Sequence, residues 1–168
     1  NAEGAIQPNR NFPDMNGLTA YIHGKGLKAG IYTSPGPLTC ARYEGSYQHE
    51  EADARQFAAW GFDFLKYDLC SYRTIDKRTT VEADRKPYEL MGSILDKIDR
   101  DMVFNLCQYG RSEVWKWGGE VGAQSWRTTG DLGEEKDSEL PGFYSIAFQN
   151  AAHSEYARRG RWNDPDYI

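Results

Sequence analysis

The chain alternates between helical and strand-like sequence patterns, and this alternation limits the possible folds more than any other feature. Short apolar runs predict strands at residues 27–34, 61–70, 102–107, 124–127 and 162–166. No tight-turn signal such as Asn-Gly joins two of these runs into a hairpin. Strands that alternate with helices and lack hairpins form a parallel sheet, whose crossover connections carry the helices.

Apolar residues at helical spacing fill the segments between those runs. We expect a first helix to begin after Asp14, a good N-cap residue, and to stop at the glycines on either side of Lys25. Another helix is expected to begin at Pro87, because proline suits the first turn of a helix. Three further helices are expected at residues 48–60, 112–117 and 142–157.

Two architectures fit such a parallel α/β sheet: an open doubly wound sheet and a (β/α)8 barrel. No glycine-rich phosphate fingerprint follows a strand, which disfavours the first. Polar residues follow the predicted strands, as in a barrel whose active site is built from the strand exits. Because a full barrel needs roughly 200 residues or more, we expect residues 1–168 to form the central part of a (β/α)8 barrel. This incomplete barrel would hold about five βα units, with the flanking strands and any C-terminal β domain lying outside the chain.

Composition argues against several classes of function. The net charge of −5 and the isoelectric point near 5.2 disfavour nucleic acid and anionic membranes as partners, because both attract basic surfaces. No apolar run approaches the length of a membrane span. The three cysteines and three histidines lack the spacing of a metal site. The sequence therefore predicts neither a metal nor a cofactor.

The run at residues 61–70 ends with a lysine and an aspartate two positions apart. The two-residue period of a strand places Lys66 and Asp68 on the same side. One interpretation is a structural ion pair at the edge of the sheet. The other is a nucleophilic or general-base aspartate whose ionised form is favoured by the neighbouring lysine.

The remaining predicted strand ends add further carboxylates, amides and a second cation. Beside Lys66 and Asp68, the side chains expected at this edge are Tyr32, Asn105, Gln108, Arg127, Asp131, Asp164 and Asp166. Two separated carboxylates are the minimum equipment for hydrolysis of a glycosidic bond, and in this set each of them is accompanied by a cation. Carboxylate and amide oxygens can also bind a divalent metal, but the two cations would repel it.

Several of these segments together resemble one enzyme family. They are Leu-Lys-Tyr-Asp-Leu-Cys at 65–70, Ser-Trp-Arg-Thr-Thr-Gly-Asp at 125–131 and Trp-Asn-Asp-Pro-Asp at 162–166, with Gly-Leu-Lys-Ala-Gly-Ile-Tyr at 26–32 ahead of them. In this order they look like the signatures of glycoside hydrolase family 27, which contains α-galactosidases and α-N-acetylgalactosaminidases. The resemblance covers essentially the whole chain.

The resemblance implies a (β/α)8 barrel that hydrolyses terminal α-galactosides with retained configuration by double displacement. Asp68 matches the nucleophile of the family. Asp131 matches the acid/base residue, which must begin the reaction protonated. The substrate-binding residues that the resemblance implies are Lys66, Arg127, Tyr32, Gln108, Asp164 and Asp166. For the last two, a role in shaping the pocket is equally open.

The resemblance also bears on the cysteines. Cys40 and Cys70 match a disulfide between the loops after neighbouring strands, with two free thiols as the alternative. Ala123 stands where the family usually has the partner of Cys107, so Cys107 is expected to be a free thiol near the pocket. A disulfide suggests an oxidising compartment, which would be extracellular, periplasmic or lysosomal in type.

The identity of the sugar stays open at this point. The expected partner is a carbohydrate with terminal α-galactose, but Gln108 also leaves N-acetylgalactosamine and β-L-arabinopyranose possible. From another class of function, the chain could be a catalytically silent sugar-binding module. Asp68 and Asp131 argue against that interpretation, because binding alone does not need two opposed carboxylates. Open sheet edges predict that the chain self-associates or has poor stability in solution.

Overall fold

The computed structural model describes residues 4–133 and 142–166. It contains a five-stranded sheet in the order β1-β2-β3-β4-β5. All neighbouring strands are parallel, which confirms the predicted sheet. The strands are β1 Gly30–Thr33, β2 Phe64–Asp68, β3 Val103–Cys107, β4 Ser125–Arg127 and β5 Trp162–Asp164.

Helices connect successive strands, as the alternation predicted. The α-helices are α1 Met15–Gly24, α2 Glu50–Ala59, α3 Val81–Leu95, α4 Val114–Trp117 and α5 Phe143–Ala151. Short 3₁₀ turns occur at Tyr72–Thr74, Arg111–Glu113, Gly118–Val121 and Ser154–Tyr156. Within residues 4–133 and 142–166, none of the helices has the length and apolar character required to span a bilayer.

The ends of the helices follow local capping chemistry, which the sequence revealed in one case and not in another. Asp14 caps α1 as predicted, since its carboxylate accepts a hydrogen bond of 2.8 Å from the Gly17 amide. The predicted start of α3 at Pro87 is wrong. The helix begins at Val81, because the Thr80 side chain accepts a hydrogen bond from the Ala83 amide. Pro87 therefore lies inside the helix, where it is buried.

The predicted end of the last helix is also wrong, because α5 ends at Ala151 rather than at residue 157. The chain then tightens into a 3₁₀ turn, and the His153 amide donates to the carbonyl of Asn150, three residues earlier. This turn brings the chain to β5.

The two sides of the sheet differ in chemistry because side chains alternate along each strand. On β2, Leu65 and Tyr67 are fully buried in the core. The Tyr67 ring packs edge-on against Tyr88 of α3 with centroids 6.0 Å apart, and it lies at the same distance from Phe104 of β3. The intervening residues, Lys66 and Asp68, belong to the opposite side. The helices thus cover one side of the sheet and leave polar side chains on the other.

An aspartate just before β2 ties three segments together. Asp63 accepts hydrogen bonds from the Ala29 amide at 2.9 Å and from Arg100 at 2.8 Å, and it also lies 2.7 Å from His23 and 3.7 Å from Lys28. Desolvation alone would raise the pKa of Asp63, but the Ala29 amide, His23 and Lys28 together lower the pKa to about 2. The ionised carboxylate thereby anchors α1 and the start of β1 to β2.

We predict that Asp63→Ala destabilises the protein by about 2 kcal/mol at neutral pH, because several donors lose their shared acceptor. The pKa of Asp63 is about 2 in the folded state, against about 3.9 in an unfolded chain. Its contribution is therefore complete above the unfolded value and is lost as the pH falls towards the folded value. Urea unfolding at several pH values tests this, with the exposed Asp99→Ala as control. A destabilisation that does not shrink in acid would contradict it.

The outer strands predict association. Among the described residues, β1 and β5 each pair on one side only, and Trp162 on β5 is 55% exposed. Unpaired strand edges are templates for pairing with another chain. We expect the 168-residue chain to sediment as species larger than a monomer, with the monomer fraction increasing on dilution. A single monomeric species across a hundredfold concentration range would refute this prediction.

Candidate active site

The parallel register brings the predicted site residues to one edge of the sheet. Lys66 on β2 lies between Tyr32 of β1 and Asn105 of β3. At the carboxyl end, Asp68 is paired with Cys107. Arg127 of β4 is paired in the same way with Asp164 of β5. Residues from five separate segments of the sequence therefore meet where the strands end.

Asp68 is buried and hydrogen-bonded through both carboxylate oxygens. It is 6% exposed. The hydroxyl of Tyr109 donates to Oδ1 at 2.6 Å, and the hydroxyl of Tyr32 donates to Oδ2 at 3.3 Å. A carboxylate with a donor on each oxygen is held in one orientation.

Both phenols are protonated donors at neutral pH. Burial and the negative charge of Asp68 raise the pKa of Tyr32 to about 12. Burial, followed by the hydrogen bond to Asp68, raises the pKa of Tyr109 well above its usual range. The two hydroxyls therefore stay available to the carboxylate.

A disulfide borders Asp68 and confirms the predicted pairing. Cys40, after β1, is bonded to Cys70, after β2, with their Cα atoms 5.1 Å apart. The Tyr32 hydroxyl lies 3.2 Å from Cys70 Sγ and accepts a bond of 3.4 Å from the Cys40 amide. The crosslink thus fixes the loops beside the carboxylate.

The same residues form a group with metal-ligand spacing. The ligand atoms of Cys40, Asp68 and Cys70 lie within 4.8 Å of one another. The disulfide removes both thiolates, which are the ligands a soft metal would need. In the oxidised protein this group supplies one carboxylate, and a single carboxylate does not make a metal site.

Arg127 organises the second half of the site from a buried position. It is 1% exposed. Its Nη2 donates to the Gly130 carbonyl at 2.6 Å and to Asp131 Oδ1 at 3.2 Å, while Nη1 lies 3.0 Å from Asp166 Oδ1. One guanidinium therefore holds the loop after β4 and the turn after β5 together. Almost none of its surface is accessible to a ligand in this structure.

Asp131 is the accessible carboxylate of the site, with a side chain that is 60% exposed. Its loop is also held by Asp166, which accepts a bond of 2.9 Å from the Leu132 amide. Asp131 thus contacts solvent on one side and the Arg127 cation on the other. A carboxylic acid that exchanges protons with a bound molecule needs this access.

The two aspartates near the end of the chain are occupied by structural contacts. Asp164 accepts bonds of 2.8 Å from the Asn105 amide group and 2.9 Å from the Asp166 backbone amide. Asp166 is buried and has a left-handed backbone, with φ of 65°. These contacts fit the pocket-shaping alternative that the sequence left open.

Gln108 lies in the interior of the protein, beneath the surface that a sugar could contact. It is fully buried, and its amide nitrogen donates to the Arg127 carbonyl at 3.3 Å. Its Oε1 atom is buried without a hydrogen-bond partner among the residues that the structure describes.

Sequence reasoning missed Tyr109 as a member of the site. The available signal was an aromatic residue followed by glycine, two positions after a strand end.

The free thiol predicted at Cys107 is confirmed, and it is buried beneath the site. Burial, with the neighbouring Asp68 charge, raises the pKa of Cys107 far above its usual range, so the thiol is neutral. Arg127 Nη1 lies 3.7 Å from Cys107 Sγ, which connects the two halves of the site.

Comparison with known proteins is consistent with this geometry. A protein family described as Alpha galactosidase A matches residues 1–168. Alpha-galactosidase 2 of Arabidopsis thaliana is 42% identical over 159 residues, which are 94% of this chain and 37% of that protein. Alpha-galactosidase A of Cellvibrio japonicus is 38% identical over 174 residues, covering 98% of this chain and 41% of that protein.

A solved structure extends the match to the fold. The α-galactosidase of Saccharomyces cerevisiae with raffinose superposes with a TM-score of 0.90 at 30% identity, covering 99% of this chain and 40% of that one. The chain therefore spans about two fifths of the length of these relatives. The superposition confirms the predicted architecture, an incomplete (β/α)8 barrel. Because the family matches this chain from residue 1 to residue 168, the chain belongs to the alpha-galactosidase A family, glycoside hydrolase family 27.

Proposed function

We propose that the protein containing this chain is a retaining glycoside hydrolase that removes terminal α-galactosyl residues from oligosaccharides or glycoconjugates. The observation that carries the proposal is the contrast between two carboxylates at one sheet edge. Asp68 is buried with a donor on each oxygen, and Asp131 is exposed against a buried cation. The α-galactosidase relatives and the raffinose in the yeast structure support galactose as the sugar.

In the first step, an oxygen of Asp68 attacks the anomeric carbon of the sugar. The bond from that carbon to the leaving oxygen breaks, and Asp131 gives its proton to the departing group. The product is a galactosyl ester of Asp68. The hydroxyls of Tyr32 and Tyr109 each donate to one oxygen of the attacking carboxylate and hold it in one orientation.

In the second step, Asp131 takes a proton from water, whose oxygen attacks the anomeric carbon. The bond to Asp68 breaks, and its electron pair returns to the carboxylate. Two inversions at one carbon restore the original configuration. The exposure of Asp131 lets water and the leaving group reach it in turn.

The other predicted site residues divide into two groups. Lys66 and Tyr32 are paired with each other across β1 and β2, close to Asp68, and both are proposed to contact the hydroxyl groups of the sugar. Arg127, Asp164 and Asp166 are proposed to act indirectly: Arg127 and Asp166 hold the loop that carries Asp131, and Asp164 holds the turn that carries Asp166. Gln108 is proposed to support the Arg127 strand from its buried position.

We further propose that the protein works in an oxidising compartment outside the cytosol. The Cys40–Cys70 disulfide supports this, because such bonds persist where thiols are not kept reduced. The crosslink closes a segment with a sequence separation of 30 residues.

The first test of the function is hydrolysis of nitrophenyl α-galactoside by the full-length protein that contains this chain. Asp68→Asn should lower kcat/KM by at least about a thousandfold, because an amide is a poor nucleophile. Asp131→Asn should lower kcat/KM by about 10²–10⁴-fold for substrates whose leaving group must be protonated. The loss of kcat/KM should be far smaller for dinitrophenyl α-galactoside, whose leaving group departs without a proton. Asp96→Asn, an exposed substitution at the end of α3, is the control.

Full activity in Asp68→Asn would contradict the proposed nucleophile. If the wild type is inactive on α-galactosides, the matching N-acetylgalactosaminide and β-L-arabinopyranoside should be tried. Binding without turnover of any of the three would favour a sugar-binding module instead.

The disulfide yields a separate prediction. Replacing Cys40 and Cys70 together by serine should lower the free energy of unfolding by about 3.6 kcal/mol, the value expected from loop closure over a separation of 30 residues. The hydrolysis rate should fall with it, because the crosslink borders Asp68. Urea unfolding and the nitrophenyl assay check both effects, and Cys107→Ser serves as the control for loss of an unpaired thiol. Unchanged stability of the double variant would refute a structural role.

A further inference from the structure

We propose that Tyr109 is a positioning residue that holds one oxygen of Asp68 throughout the reaction and speeds release of the sugar from that carboxylate. This inference rests on the proposed glycosidase function. Tyr109 was not among the residues that the sequence motifs assigned to the site. The structure gives it the shorter of the two phenol contacts to Asp68, 2.6 Å against 3.3 Å for Tyr32.

The backbone around Tyr109 is built to place this side chain. Tyr109 has φ of 66° and Gly110 has φ of 79°, so the chain makes a left-handed turn directly after β3. A Cβ atom on Gly110 would lie 2.2 Å from the Thr128 carbonyl oxygen. Only glycine permits both the left-handed conformation and this close approach. The turn therefore packs closely against the loop after β4, and the Tyr109 side chain extends towards Asp68 of β2.

The side chain is also confined by its neighbours. Its hydroxyl lies 3.7 Å from Cys40 Sγ and 4.0 Å from Cys70 Sγ. Its ring lies 5.7 Å from the guanidinium of Arg111 and 5.9 Å from that of Arg127. The phenol thus sits between the disulfide and the carboxylate, and it links the Asp68 half of the site to the Arg127 half.

The two oxygens of Asp68 are not equivalent in this arrangement. Tyr109 holds Oδ1 tightly, whereas the Tyr32 contact to Oδ2 is long. We assign attack on the sugar to Oδ2, so that Oδ1 becomes the carbonyl oxygen of the galactosyl ester and keeps its Tyr109 donor. The proton of Tyr109 stays on its own oxygen in both steps.

The donor should matter most when the ester breaks. In that step the electron pair of the C–O bond returns to Asp68, and negative charge grows on both carboxylate oxygens. A hydroxyl already fixed on Oδ1 stabilises that charge without reorganisation. In the first step the carboxylate loses charge, so the same hydrogen bond weakens as the ester forms. Removing the hydroxyl should therefore slow the second step selectively.

The test is Tyr109→Phe in the full-length protein, with dinitrophenyl α-galactoside as the substrate because its leaving group needs no proton. We expect kcat to fall about 10–100-fold and KM to fall with it. At steady state, most of the Tyr109→Phe protein should carry the covalent galactosyl ester, which intact-mass measurement detects. The control is Tyr21→Phe, which removes the same hydroxyl from an exposed position on α1.

If the wild type is active and Tyr109→Phe has the same kcat and KM with no accumulated ester, the inference is overturned and the proposed function stands. A fall in kcat with unchanged KM and no ester would also overturn it, because that pattern does not place the effect in the second step.

A double-mutant cycle makes the inference testable even if the wild type is inactive, an outcome that would count against the proposed function. Tyr109→Phe, Asp68→Asn and the combined variant are compared by urea unfolding. Substitutions at two residues in direct contact change the free energy of unfolding non-additively. Non-additive shifts of the urea midpoint would therefore support the hydrogen bond between Tyr109 and Asp68. Additive midpoints would overturn it.

Discussion

The buried guanidinium of Arg127 is the interaction on which the active edge of the sheet depends. A charge removed from water must be matched by acceptors. Here the acceptors come from the loop after β4, through the Gly130 carbonyl and Asp131, and from the turn after β5, through Asp166. Pairing this one cation therefore holds two loops in fixed positions and leaves Asp131 exposed to solvent.

The other half of the edge is organised around an anion. Asp68 is held by phenols from the strand before it and the loop after the next strand, and the Cys40–Cys70 crosslink borders both contacts. The neutral thiol of Cys107 lies between Asp68 and Arg127. The site thus pairs a rigid, buried carboxylate with an accessible one, which suits the double displacement proposed for the protein.

Local sequence signals predicted much of this arrangement and failed where capping or tertiary contacts competed. The Asp14 cap was readable because an N-cap acts on its own first turn. The start of α3 was misread because Pro87 suggested a first turn, while Thr80 supplied the actual cap earlier in the chain. The family motifs implied a substrate contact for Arg127 and either a substrate contact or a pocket-shaping role for Asp166, and nothing local indicated which loops these two side chains would hold.

The sequence by itself determined the parallel α/β sheet, the family, the two carboxylates and the cysteine pair, since each depends on periodicity or on an ordered motif. The tertiary structure alone decided which donors meet those carboxylates. Tyr109 and Asp68 are 41 positions apart, and they meet because β2 pairs with β3 in one register and a left-handed turn follows. Strand pairing and backbone turns of this kind act over distances that no local pattern encodes.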